Sequence, residues 1–143
     1  MSKYQYVTPI EFRIRMSDQV CVCGGFSPDA SSETESAKQI NVVDMLTSNP
    51  NASYMMVAEG HSMEPLIQQG DVLVVDPHLS PADQDVVILS VGSHLIVKRH
   101  VLIADSGGVR VTFMPDNPSY RPIDVSMVHS VVGVVSSIVR RLK

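Results

Sequence analysis

The stretch Glu59-Gly60-His61-Ser62-Met63-Glu64-Pro65 is closed by Gly70-Asp71 and followed at once by Val72-Leu73-Val74-Val75. It sets a serine two residues after a glycine, at the end of one apolar run and just before a turn that opens a second. Ala52 to Ala58, which leads into it, reads as a strand, and Pro65 to Gln69 as a single helical turn stopped by Gly70. Beyond Asp71 the pattern is strand after strand. Val72–Val75 and Val86–Val91 are continuous apolar runs, and Leu95 to Leu102 alternates. Alternation puts Ile96, Lys98, His100 and Leu102 on one face, and Leu95, Val97, Arg99 and Val101 on the other. Val109–Met114 and Val131–Arg140 complete the series. Turn signals fall at Pro77, Pro81, Gly92-Ser93, Gly107-Gly108 and Asp116-Asn117-Pro118. Short strands at this spacing, without intervening helices, predict an antiparallel or mixed, mainly β fold.

Upstream the character changes. Residues 1–39 contain Cys21-Val22-Cys23-Gly24-Gly25-Phe26-Ser27-Pro28 and then a Ser/Glu/Lys-rich tract without an apolar period. They read as a flexible N-terminal arm, and residues 40–143 as the β-rich domain. A short helix is expected over 40–49, with Asn41 as N-cap and Ile40, Val43 and Leu46 on one face, ended by Pro50.

Hydrophobic residues make up 44% of the 143-residue chain, enough for a core, and with no tryptophan that core must be built from Val, Ile, Leu and Met. The net charge of −4 argues against direct, nonspecific nucleic-acid binding, which needs a basic surface to displace phosphate counterions. A partner that itself sits on DNA stays open. Cys21 and Cys23, one residue apart with no other cysteine, make a poor metal site and an awkward disulfide, so no cofactor or metal is expected. The first sixteen residues lack the apolar centre of a signal peptide, and no apolar run reaches the roughly 20 residues that span a bilayer. A soluble, cytoplasmic protein without a membrane association is the expectation.

Chemistry centres on two residues. Ser62 at a strand end can expose its hydroxyl, but serine is a weak nucleophile without a base. Lys98 shares its strand face with Ile96 and Leu102, and burial of an amine lowers its pKa by disfavouring the ammonium form. A neutral lysine can take the serine's proton and return it to a leaving amine. His61, His94 and His100 invite a Ser-His-Asp triad. His61 is adjacent to Ser62, however, so its ring points elsewhere, and Asp71, Asp76 and Asp85 sit at strand ends where turn roles suffice. A G-x-S-x-G elbow is absent.

Gly60-x-Ser62-Met63-Glu64-Pro65, Gly70-Asp71, the apolar run to Asp76 and the Val97-Lys98-Arg99 strand resemble the Ser-Lys self-cleaving peptidase family that includes LexA, phage repressors and UmuD. The UmuD-type likeness extends to Asn49–Tyr54, Met114–Tyr120 and Gly133-Val134-Val135. It implies a compact, curved β fold of the LexA C-terminal and signal-peptidase type. It implies Ser62 as nucleophile, Lys98 as general base, and backbone N–H groups near Ser62-Met63 for the oxyanion. Cys23-Gly24-Gly25-Phe26 stands where those proteins carry their cleavage site, which implies a cut at Cys23–Gly24 or, as the alternative, Gly24–Gly25. It further implies a homodimer, activation by a RecA filament on single-stranded DNA in the SOS DNA-damage response, and partnership with a UmuC-like Y-family polymerase in translesion synthesis. A noncatalytic polymerase- or filament-binding module with the same fold is the alternative.

Overall fold

β-Branched and aliphatic residues dominate from Tyr54 onward, and they form strands wherever one face can be buried. The computed structural model describes residues 6–10, 19–21, 39–50 and 52–143. Its elements are β1 (Tyr6–Ile10), β2 (Gln19–Cys21), β3 (Gln39–Asn41), α1 (Val42–Leu46), β4 (Tyr54–Glu59), β5 (Val72–Asp76), β6 (Val86–Val91), β7 (His94–Asp105), β8 (Gly108–Met114), a 3-10 turn at Val125–Met127, and β9 (Ser130–Val139). The expected mainly β fold is the one found.

Seven strands form one antiparallel sheet in the order β1-β4-β5-β9-β6-β7-β8, and β2 with β3 forms a separate two-stranded ladder. The large sheet curls back on itself, because β1 pairs with β4 along its length and also meets β7 at Tyr6–Ile96. The length of β7 allows this arrangement. Its first half, His94–Arg99, pairs with β6, and its second half, Arg99–Asp105, pairs with β8. Both hairpins use two-residue turns at the glycines singled out in the sequence: Val91 faces His94 across Gly92-Ser93, and Asp105 faces Gly108 across Ser106-Gly107.

Strand β9 runs between β5 and β6, with a register shift against each, between Val74 and Val75 and between Ile88 and Leu89. Such bulges sharpen the local bend of a sheet. Gly133 lies inside this stretch. A Cβ there would come within 2.7 Å of the Val75 side chain and 2.9 Å of the Asp76 carbonyl oxygen, so only glycine lets the strands approach this closely. Two apolar groups fill the interior. Met56, Ala58, Met63, Ile67, Leu73, Val75, Ile88 and Val97 form one, and Val87, Leu89, Ile96, Phe113, Ile123 and Val134 the other.

Three local expectations differ from the structure. Residues 6–10 and 19–21, inside the stretch read as an arm, are strands, the first of them in the main sheet. Tyr6, Val7, Thr8 and Ile10 are strand formers that the mixed composition around them masks. The helix expected over 40–49 is only Val42–Leu46, because Ile40 pairs with Val20 in the β2–β3 ladder. It stops before Pro50, where the Leu46 carbonyl accepts from the hydroxyls of Ser136 and Ser137 at 2.8 and 2.6 Å. The turn expected at 65–69 is found at 62–66, with the Ile67 N–H donating to the Met63 carbonyl at 3.0 Å. Among the described residues no helix is long and apolar enough to cross a membrane.

Gly133→Ala should therefore destabilise the protein by about 1–3 kcal/mol, the usual cost of overpacking a filled interior. A lowered denaturant midpoint with an unchanged slope is the expected readout.

Candidate active site

The serine sits where β4 ends. Gly60, at φ +96°, turns the chain out of the strand in a conformation that side chains disfavour. The Gly70 N–H donates to the Ala58 carbonyl at 2.8 Å, and the Ala58 N–H to the Asp71 carbonyl at 2.9 Å, so the excursion from 59 to 70 is pinched shut at its base. Met63 and Ile67 anchor its inner side in the core, both fully buried.

The fold brings the two candidate residues together. The Lys98 Nζ lies 2.7 Å from the Ser62 Oγ, and both side chains are inaccessible to solvent. On β7 alternation turns Lys98 toward Ser62 and its neighbour Val97 into the apolar cluster that also holds Met63. In the ammonium state the lysine donates to the hydroxyl; once neutral, it can accept the hydroxyl proton. Burial pushes the Lys98 pKa down to about 8, with the nearby Asp116 carboxylate pulling the other way. About one lysine in ten is then neutral at pH 7, which is the form a general base requires.

Asp116 does not act on Lys98 as a bare charge. It is held by the Arg99 guanidinium through two bonds of 2.7 Å, and Arg99 also donates to the Gln84 carbonyl at 2.6 Å. The next residue, Asn117, grips the serine turn. Its backbone N–H donates to the Ser62 carbonyl and its side-chain amide to the His61 carbonyl, each at 3.0 Å. On the far side of the turn, Arg140 makes bonds of 2.7 and 2.6 Å to the buried Asp71 carboxylate and a third, of 3.1 Å, to the Leu66 carbonyl. Asp71 also accepts from the Gln68 N–H at 2.8 Å, the turn role expected for it. The Arg140 hydrogen bonds hold its carboxyl below the usual range, against the opposing effect of burial.

Asn117, Asp116, Arg99 and Arg140 are site-forming residues that the sequence reading did not single out. An arginine alternating with Val97 and Val101 on a strand face was one available signal, since such a charge needs a partner when half-buried. The Asp116-Asn117-Pro118 turn signal was another.

Two of the three candidate histidines are engaged elsewhere. The His61 ring bonds the Glu64 carboxylate at 2.6 Å on the exposed side of the turn, and the His100 Nδ1 faces the Ala82 carbonyl at 2.8 Å. Asp76 and Asp85 bind backbone N–H groups of their own turns, those of His78 and Ala82. Met63 contributes a buried side chain to the core. Cys23, Gly24 and Gly25 lie outside the described residues. Among the described residues no His/Cys/Asp/Glu group is arranged to hold a metal ion.

A family model described as Peptidase S24-like matches residues 17–136. Protein ImpA of Salmonella typhimurium is 29% identical over 120 residues, covering 83% of this chain and 79% of ImpA. The LexA repressor of Acidithiobacillus ferrooxidans is 32% identical over 104 residues, covering 68% of this chain and 49% of the repressor. The LexA repressor of Citrifermentans bemidjiense is 31% identical over 90 residues, covering 57% and 43%. The chain thus matches about half the length of these repressors or less.

The buried amine gives stability a specific pH dependence. The folded-state pKa, about 8, lies below the ordinary lysine value of 10.5, so between these pH values the unfolded chain binds more protons and stability rises with pH. Lys98→Met should abolish that rise and should stabilise the protein at pH 7 by an amount on the order of a few kcal/mol. Urea titrations from pH 7 to 11 on both proteins measure it.

Proposed function

The chain belongs to the peptidase S24-like family, and we propose that it is a serine peptidase that cuts its own N-terminal segment, with Ser62 as nucleophile and Lys98 as general base. The observation that carries this reading is the 2.7 Å contact between a buried hydroxyl and an amine whose pKa is lowered to about 8. Neutral Lys98 takes the Ser62 proton as Oγ attacks the carbonyl carbon of the scissile bond. Backbone N–H groups near Ser62 and Met63 stabilise the oxyanion. The lysine then protonates the departing amine, and a water activated by the same amine hydrolyses the acyl-enzyme.

The scissile bond in this reading is Cys23–Gly24, with Gly24–Gly25 as the alternative. Glycine on the leaving side lets the backbone approach a serine in a closed turn. Tethering supplies the effective concentration that lets a slow site cut its own chain.

The UmuD-type likeness supports a wider role. The processed form would be a homodimeric accessory subunit of a UmuC-like Y-family polymerase in translesion synthesis. Its cleavage would be triggered by a RecA filament on single-stranded DNA during the SOS response in the cytoplasm.

Purified protein held between pH 7 and 10 should release a fragment starting at Gly24 or Gly25, identified by N-terminal sequencing. The rate should rise about tenfold per pH unit below pH 8 and level off above it, following the neutral amine. Ser62→Ala and Lys98→Ala should yield no fragment; normal cleavage by either would overturn the assignment and favour the noncatalytic binding module. Asp116→Asn should shift the rising limb to lower pH, because the carboxylate that favours the ammonium form is gone.

A further inference from the structure

Strand β1 occupies a particular place: it joins the strand that leads into Ser62 to the strand that carries Lys98. Its five residues pair with β4, Tyr6 opposite Glu59 and Ile10 opposite Met55, and Tyr6 also pairs with Ile96 of β7. Glu59 immediately precedes the Gly60-His61-Ser62 turn, and Ile96 is separated from Lys98 only by Val97. The β1 end that touches both strands is therefore the end nearest the serine and lysine. Strand β2 makes a second, separate ladder with β3, Gln19 opposite Asn41 and Cys21 opposite Gln39.

Both candidate scissile bonds follow β2 in the chain. A cut at either leaves β1 and β2 on one fragment, and β3, β4 and β7 on the other. The cut removes the tether but none of these backbone ladders. Main-chain hydrogen bonds from a sheet edge to an extended peptide are a sufficient basis for binding. Departure of β1 would leave the backbone polar groups of β4, and of β7 at Ile96, without their partner strand, a cost that favours retention.

We propose that β4 and β7 form a slot for an extended antiparallel peptide, and that its occupant, β1, outlasts cleavage. The N-terminal fragment then stays bound as a separate peptide that bridges the serine and lysine strands. This inference rests on the reading that the chain is cut between Cys23 and Gly25, and its test separates the two.

A full-length Ser62→Ala chain, with the recognition site of a sequence-specific protease inserted between Asp29 and Ala30, is nicked to completion and run on native size exclusion at low micromolar concentration. Both fragments should share one peak, and should part only under denaturing conditions. Val7→Pro/Thr8→Pro in the same chain removes a donor from each edge of β1, since alternate residues face opposite edges. It should weaken retention about tenfold, because whichever of the two residues faces β4 loses its ladder hydrogen bond and leaves the β4 acceptor unpaired. Amide exchange over Tyr54–Glu59 reads the slot without any change in β1: rates unchanged by nicking support the proposal, and rates raised tenfold overturn it. Separate elution of the fragments, or equal retention with and without the prolines, also overturns it. Failure of the wild-type chain to cut itself would count against the peptidase reading alone, because the nicking assay does not depend on it.

Discussion

A lysine amine with no access to water, held 2.7 Å from a serine hydroxyl, is the interaction on which the rest of the structure depends. Burying an amine costs free energy unless it is paired or gives up its proton. Here the environment is arranged so that losing the proton is easy. The lysine side chain is fully buried, beside Ile96 and Val97 of the core, and the Asp116 carboxylate is already engaged by Arg99 in a two-bond pair. Desolvation consequently outweighs the favourable charge, and the pKa falls to about 8.

A short contact between two side chains is only as well defined as the backbones that carry them. Lys98 lies in the interior of β7, opposite Val87 of β6 and one residue before the β8 ladder begins at Arg99. Ser62 lies in a turn, the less rigid kind of support, and the structure answers by fastening the turn from three directions. Met63 and Ile67 sink into the core beneath it, Asn117 binds the carbonyls of His61 and Ser62, and Arg140 with Asp71 ties its far limb to the end of β9. These attachments come from segments distant in the chain, so the serine's position reports on the integrity of the whole sheet. Strand β1 adds a link between the two halves of the site at the level of Glu59 and Ile96.

Much of this was legible before folding was considered. Strands β5 to β9 follow from apolar runs and alternation, and the tight hairpins from Gly92-Ser93 and the glycines at 107 and 108. Ser62 and Lys98 stood out because a serine in a glycine-flanked turn and a lysine among apolar strand residues are each odd alone. Other features were hidden for identifiable reasons. The β1 strand is five residues in a mixed segment, too short for its periodicity to stand out. Gly133 reads as an ordinary weak point of a strand until Val75 and Asp76 are packed against it. Asn117 has the local signature of a turn residue, and its grip on the serine is a long-range contact that no local pattern encodes.

The chain by itself determined what chemistry was available: a hydroxyl, an amine, the apolar residues able to dry them, and the strand periods that choose which face each side chain takes. Those follow from residue type and from forces acting over a few positions. Only the tertiary structure decided that the two groups meet, how deeply the amine is buried, and therefore how readily it gives up its proton. Burial and distance are properties of segments brought together from across the chain, here by a sheet that curls until β1 touches both the serine strand and the lysine strand.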